Sequence, residues 1–89
     1  MTQPWEADPS AVFVRRLGES PQALGTTSGK DGCPDLWELS NGDVAVIGRD
    51  LTDVLRGRLP EEASVRADER IVVIPGETLR SAKPDIADA

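Results

Sequence analysis

Apolar positions along this chain of 89 residues come in short runs, each closed by turn residues. The run "DPSAVFVRRLG", Asp8 to Gly18, predicts a short helix. Asp8 fits the cap, Pro9 the first helical position and Gly18 the left-handed stop. Val12, Phe13 and Leu17 then form an apolar stripe while Arg15 faces water. The β-branched and aromatic cluster "VFV" makes a strand the rival reading. "ESPQALG" repeats the same grammar, with Ser20 as cap, Pro21 first and Gly25 as stop, and predicts one more helical turn. Residues 25–34, "GTTSGKDGCP", have no periodic apolar positions and predict a flexible loop.

"CPDLWELSNGDVAVIG" predicts a β-hairpin. Asn41-Gly42 is the strongest short signal for a two-residue type I′ turn, which needs positive φ at both central positions. Folding about that turn pairs Leu39 with Val44, Glu38 with Ala45, Trp37 with Val46 and Leu36 with Ile47. One face then carries Trp37, Leu39, Val44 and Val46 and is expected to be the core. The opposite face turns apolar only at Leu36 and Ile47. In that register a slip by one residue would carry Glu38 into the core.

"RDLTDVLRGRLP" predicts a helix capped by Asp50, with Leu51, Val54 and Leu55 inward and an end at Gly57 or Pro60. "EEASVRADE" is a polar connection. "RIVVI", Arg70 to Ile74, predicts an interior strand, being apolar on both faces. "GETLRSAK" predicts a last helix with Leu79 and Ala82 inward and Pro84 as its stop. A crossover of this length, containing a helix, suits a right-handed βαβ unit, so the third strand should lie parallel to the second and beside the first. The expected fold is α+β: a small mixed three-stranded sheet, made of the hairpin and the strand after the crossover helix, with N- and C-terminal helices. The whole reads as a single small domain over 1–89, frayed at 1–7 and 86–89.

Composition narrows what such a fold can do. A chain this size buries about 60–65% of its unfolded surface, so its core is modest and a dimer or bound partner is a route to stability. Aromatics are confined to Trp5, Phe13 and Trp37. The formal net charge of -6, from 16 acidic against 10 basic residues, opposes direct binding of nucleic acid and suits a basic protein partner. The single cysteine cannot form an intrachain disulfide. No apolar run approaches the length of a membrane span, and the N-terminus lacks the pattern of a signal peptide, so a cytoplasmic location is expected.

Catalytic and ligand motifs fail on inspection. The glycines of Gly25-Thr-Thr-Ser-Gly-Lys30 are too close for a phosphate loop, Asp31 replaces the magnesium-holding hydroxyl, and no strand leads in. Cys33 has no base, because the chain contains no histidine. One cysteine and no histidine exclude zinc. Asp50 and Asp53 sit three apart, but Asp50 is better explained as a helix cap, and Asp31, Asp35 and Asp43 miss the calcium-loop spacing. No cofactor and no metal are expected. A carboxylate enzyme using Glu38 or Asp43 remains as an alternative, with a solvated Glu38 the simpler reading. Trp37 reads first as a core anchor and Trp5 as an interface residue, or as a clasp folded back on the domain. Trp5, Leu36, Trp37 and Ile47 are thus the candidate interaction residues.

"CPDLWELSNGDVAVIG", followed by "DLTDVLRGRLP" and "ERIVVIP", resembles a group of uncharacterised small acidic actinobacterial proteins whose genes sit near helix-turn-helix regulators. The resemblance spans about Asp8 to Ile86 and carries no catalytic motif. It implies a regulatory or accessory role. The expectation is therefore a non-enzymatic protein-interaction module whose partner is a basic helix-turn-helix regulator or a second copy of the chain. A homodimeric structural protein is the alternative, with a small carboxylate-dependent enzyme or a small-molecule binder behind it.

Overall fold

A computed structural model describes residues 5–27 and 34–86. The elements in order are β1 (Phe13–Arg16), α1 (Pro21–Leu24), β2 (Asp35–Leu39), β3 (Val44–Ile47), β4 (Arg49–Asp50), α2 (Thr52–Leu55), a 3-10 turn over Arg56–Arg58, β5 (Val72–Val73), α3 (Gly76–Ser81) and α4 (Lys83–Ile86). The α+β class agrees with the expectation. Its sheet is assembled differently: β1, β2 and β3 form an antiparallel sheet in that order, and β4 and β5 form a separate two-stranded ladder.

The first difference is the segment expected as the N-terminal helix. Asp8 caps only a tight turn, accepting from the Ser10 amide at 2.9 Å and the Ser10 hydroxyl at 2.6 Å. The chain then extends as β1, with Phe13 opposite Leu39 and Arg16 opposite Trp37. The rival reading of "VFV" wins because these stiff side chains gain a strand partner in β2. By contrast α1 follows the expected grammar, with Ser20 accepting from the Ala23 amide, Pro21 at the start and Gly25 at the end.

The second difference is the hairpin register. Glu38 pairs with Val44, Trp37 with Ala45, Leu36 with Val46 and Asp35 with Ile47, one residue away from the expected pairing. The turn is longer than two residues. The Gly42 amide donates to Leu39 O at 3.0 Å and the Leu39 amide to Asp43 O at 2.8 Å, so Ser40, Asn41 and Gly42 form the loop. Gly42 has φ +89° while Asn41, like every other non-glycine residue among those described, has no positive φ, which rules out a type I′ turn. A type I turn closed by a left-handed glycine is the standard three-residue alternative. Asn41 serves it with its side chain, accepting from the Asp43 amide at 3.0 Å.

The third difference is the strand after the crossover. β5 runs antiparallel to β4, with Arg49 opposite Val73 and Asp50 opposite Val72, and does not join the hairpin sheet. The parallel crossover fails because α2 has only four residues, a length of about 6 Å that cannot span and cover a strand. The Leu51 amide donates instead to Ile71 O at 2.9 Å, closing a local loop. Val72 and Val73 are exposed rather than interior. Asp50 does hold the start of α2, accepting from the Thr52 amide at 3.0 Å, but it lies in β4 and Leu51 occupies the cap position. Leu51 and Val54, expected inward, are exposed, and so is Leu79. Pro84 does not stop the last helix. It sits in the first turn of α4, where its missing N–H costs nothing.

The core is correspondingly small: Leu17, Leu36 and Ala82, with Ile74 packed against it. The α3–α4 layer is fastened to the end of β1 by polar bonds. The Gly18 amide donates to Asp85 Oδ2 at 2.7 Å and the Glu19 amide to Ser81 Oγ at 3.2 Å. Gly18 has φ +80°, and a Cβ there would meet Ser81 Oγ at 2.5 Å and the Ala82 backbone nitrogen at 2.8 Å. The expected stop is therefore a point of close contact between layers.

Two threonines are fully buried, Thr52 and Thr78. The Thr52 hydroxyl donates to Asp50 Oδ1 at 2.6 Å and accepts from the Ile71 amide at 2.8 Å, joining α2 to the β4–β5 ladder. The Thr78 hydroxyl has no hydrogen-bond partner among the described residues. Replacing each by valine should give opposite results in thermal or urea unfolding. Thr52→Val should cost about 1–3 kcal/mol, because it strands the Ile71 amide, while Thr78→Val should be neutral or stabilising by up to about 1 kcal/mol.

Candidate interaction surface

The register decides which side chains share a face, since strand positions alternate. One face of the sheet carries Leu36, Glu38, Val44 and Val46, joined from β1 by Arg15 and continued by Leu17. The other carries Asp35, Trp37, Leu39, Ala45 and Ile47, joined by Phe13 and Arg16. The expected apolar set of Trp37, Leu39, Val44 and Val46 is therefore split between the two faces. Leu36, expected on the outer face and a candidate contact residue, is 4% exposed and lies in the core.

On the Trp37 face, aromatic and charged groups interlock. The Phe13 and Trp37 rings meet edge to face at 5.7 Å, and the Arg16 guanidinium lies 4.8 Å from the Trp37 ring centroid. Arg16 also grips Asp35 with two parallel bonds, Nε to Oδ1 at 2.8 Å and an Nη to Oδ2 at 2.9 Å. Burial pushes the Asp35 carboxyl up, but hydrogen bonds from Arg16 and the Trp37 indole, with the Arg16 charge and the Leu36 amide, hold it below the ordinary aspartate value. Two of the four candidates remain in reach here: Trp37 is half-buried under its neighbours and Ile47 is exposed. Trp5 joins the same side as a clasp. Its indole N–H donates to Asp43 Oδ2 at 3.1 Å while the residue stays 68% exposed.

On the Leu36 face, a groove of about 330 Å³ runs between the sheet and the α3–α4 layer. Its apolar lining includes Val44, Val46, Leu79 and Ile86, all of them exposed. Arg80 and Lys83 lie beside Leu79 and Ile86 and give that rim positive charge on an acidic protein. Glu38 is on this face, where a slipped register would place it, and it is neutralised by Arg15 Nε at 2.6 Å. These four apolar residues were not among the sequence candidates. Only the true turn length brings Val44 and Val46 beside Leu36, and helical spacing alone places Leu79 inward.

The two acids considered for catalysis do not converge. Glu38 lies on the groove face, paired with Arg15, while Asp43 closes the turn and accepts from Trp5 and Asn41. Among the described residues there is no group of three or more potential metal ligands, and no helix is long and apolar enough to cross a membrane. Cys33, Lys30 and Asp31 lie outside the described residues. Comparison with protein-family models, with curated proteins and with solved structures gives no match.

The Arg16–Asp35 pair sets a pH dependence. A carboxyl whose folded value is depressed contributes stability that is present above its unfolded value, about 3.9, and is lost as pH falls through the folded value. Unfolding free energy should therefore decline as pH drops below about 4. Asp35→Asn should cost about 1–3 kcal/mol at neutral pH and flatten part of the acid limb, measured by urea unfolding across pH. An unchanged acid limb would show that the pair contributes nothing.

Proposed function

We propose that the chain is a non-enzymatic protein-interaction module that docks a basic DNA-binding regulator of the helix-turn-helix kind. The observation that carries this reading is the imbalance between core and surface. Among the described residues only Leu17, Leu36 and Ala82 are buried hydrophobics, whereas Val44, Val46, Leu79 and Ile86 line one open groove and remain exposed. An apolar patch of this kind on a small domain marks a contact site. The net charge of -6 favours long-range encounter with a basic partner, while the groove, rimmed by Arg80 and Lys83, would supply the apolar contact; the resemblance to acidic proteins encoded near such regulators supports the choice of class. The non-enzymatic part rests on Glu38 and Asp43 being committed to Arg15 and to the turn. A second reading, a homodimeric structural protein, is favoured by the apolar edge of β3.

Affinity capture from native lysate, with bound proteins identified by mass, tests the leading reading. The wild-type chain should retain a basic helix-turn-helix protein, less at high salt because the attraction is screened. Leu79→Glu, at an exposed groove position, should reduce recovery about tenfold or more, the equivalent of about 1.4 kcal/mol. Equal recovery by both chains, or none by either, would count against the groove as a docking site.

A further inference from the structure

We propose that the outer edge of β3 pairs with β3 of a second copy, antiparallel about a two-fold axis near Ala45, to make a continuous six-stranded sheet.

The ladder shows which backbone groups are free. Leu36 O accepts from the Leu17 amide and the Ser40 amide donates to Val12 O, so the even positions of β2 face β1. The Leu39 amide donates to Asp43 O, so the odd positions face β3. By the alternation of antiparallel ladders, Ala45 and Ile47 spend their backbone groups on β2, while Val44 and Val46 point theirs outward. β3 ladders only with β2 among the described residues. Two amides and two carbonyls are left on a flat, apolar edge.

The two edges of the sheet differ. β1 carries a register irregularity between Phe13 and Arg15, and its second half is Arg15 and Arg16. A bulge and cations on an edge are the usual means of preventing strand addition. β3 reads Val-Ala-Val-Ile, with no charge, no proline and no bulge, and Val44 and Val46 are 52% and 43% exposed. It is the edge left open.

A second copy suits this edge better than an unrelated strand. With the axis at Ala45, Val44 and Val46 of one chain face Val46 and Val44 of the other, and each exchanges both outward bonds. Ala45 meets Ala45, the smallest pair at the closest approach. No like charges oppose across the pair, because β3 has no ionisable residue. The charges near the groove are Arg15 paired with Glu38, Arg80 and Lys83, so the acidic excess of the chain is not concentrated here. A two-fold normal to the sheet keeps both grooves on one side.

The proposal rests on the reading of the chain as an interaction module, but its test is separate from capture of a regulator. Sedimentation of the purified chain at micromolar concentration should give the mass of two 9.5 kDa chains. Val44→Lys, at an exposed position, and Val46→Pro, which removes an outward amide without touching the β2 ladder, should each give the one-chain mass with unchanged circular dichroism. Amide exchange of the wild type supplies a readout that needs no variant. Val44 and Val46 should be protected when concentrated and exchange at least tenfold faster on dilution below the dimer's dissociation constant, while Ala45 stays protected. A wild-type chain that sediments as a monomer, folded variants that remain dimeric, or Val44 and Val46 amides that exchange equally fast at all concentrations would each overturn the β3 dimer. A monomer that still captures a regulator would leave the docking reading standing.

Discussion

Everything in this fold depends on the register between β2 and β3, and the register depends on where the turn closes. Two hydrogen bonds, Gly42 N to Leu39 O and Leu39 N to Asp43 O, make the loop Ser40-Asn41-Gly42. A two-residue turn on the same Asn-Gly would move every side chain of one strand to the opposite face of the pair. The observed register lets Leu36 reach Leu17 and Ala82, and it sets Asp35 and Trp37 on the side where Arg16 serves both. The alternative would instead put Trp37 and Leu39 on the face of Val44 and Val46. The favoured turn is the one whose strands have partners waiting on both faces.

The rest of the architecture hangs from that sheet by few contacts. The α3–α4 layer presses Ala82 onto the core and is fastened at Gly18 and Glu19 by Asp85 and Ser81. The β4–β5 ladder is joined to α2 through the Thr52 hydroxyl, a polar tie where a larger domain would use apolar packing. The radius of gyration, 14.6 Å, exceeds the ~12 Å of a compact chain of this length. An open groove and an open strand edge follow from the same shortage of covering elements.

Much of this was legible in the sequence, for reasons that differ by element. Ser20, Pro21 and Gly25 define α1 because caps act locally. The α+β class, the hairpin and the helix after Asp50 were also readable, since each has a local signal. Asn41-Gly42 marked the turn but not its length: Asn41 adopts no positive φ, and that choice is made by what the strands meet. "VFV" became a strand because β2 was available, a long-range fact that no window of the chain contains. The groove residues Val44, Val46, Leu79 and Ile86 could not be found until the register was known. Trp5 was assigned to an interface or a clasp, and its indole bond to Asp43 supplies the clasp while its ring stays in water.

The register can be measured directly by cross-strand Hα–Hα nuclear Overhauser effects, which are strong only between non-hydrogen-bonded partners of an antiparallel pair. The account predicts strong effects between Glu38 and Val44 and between Leu36 and Val46. Strong effects between Leu39 and Val44 and between Trp37 and Val46 would show the two-residue turn, return Trp37 to the face of Val44 and Val46, and contradict the core and the groove together.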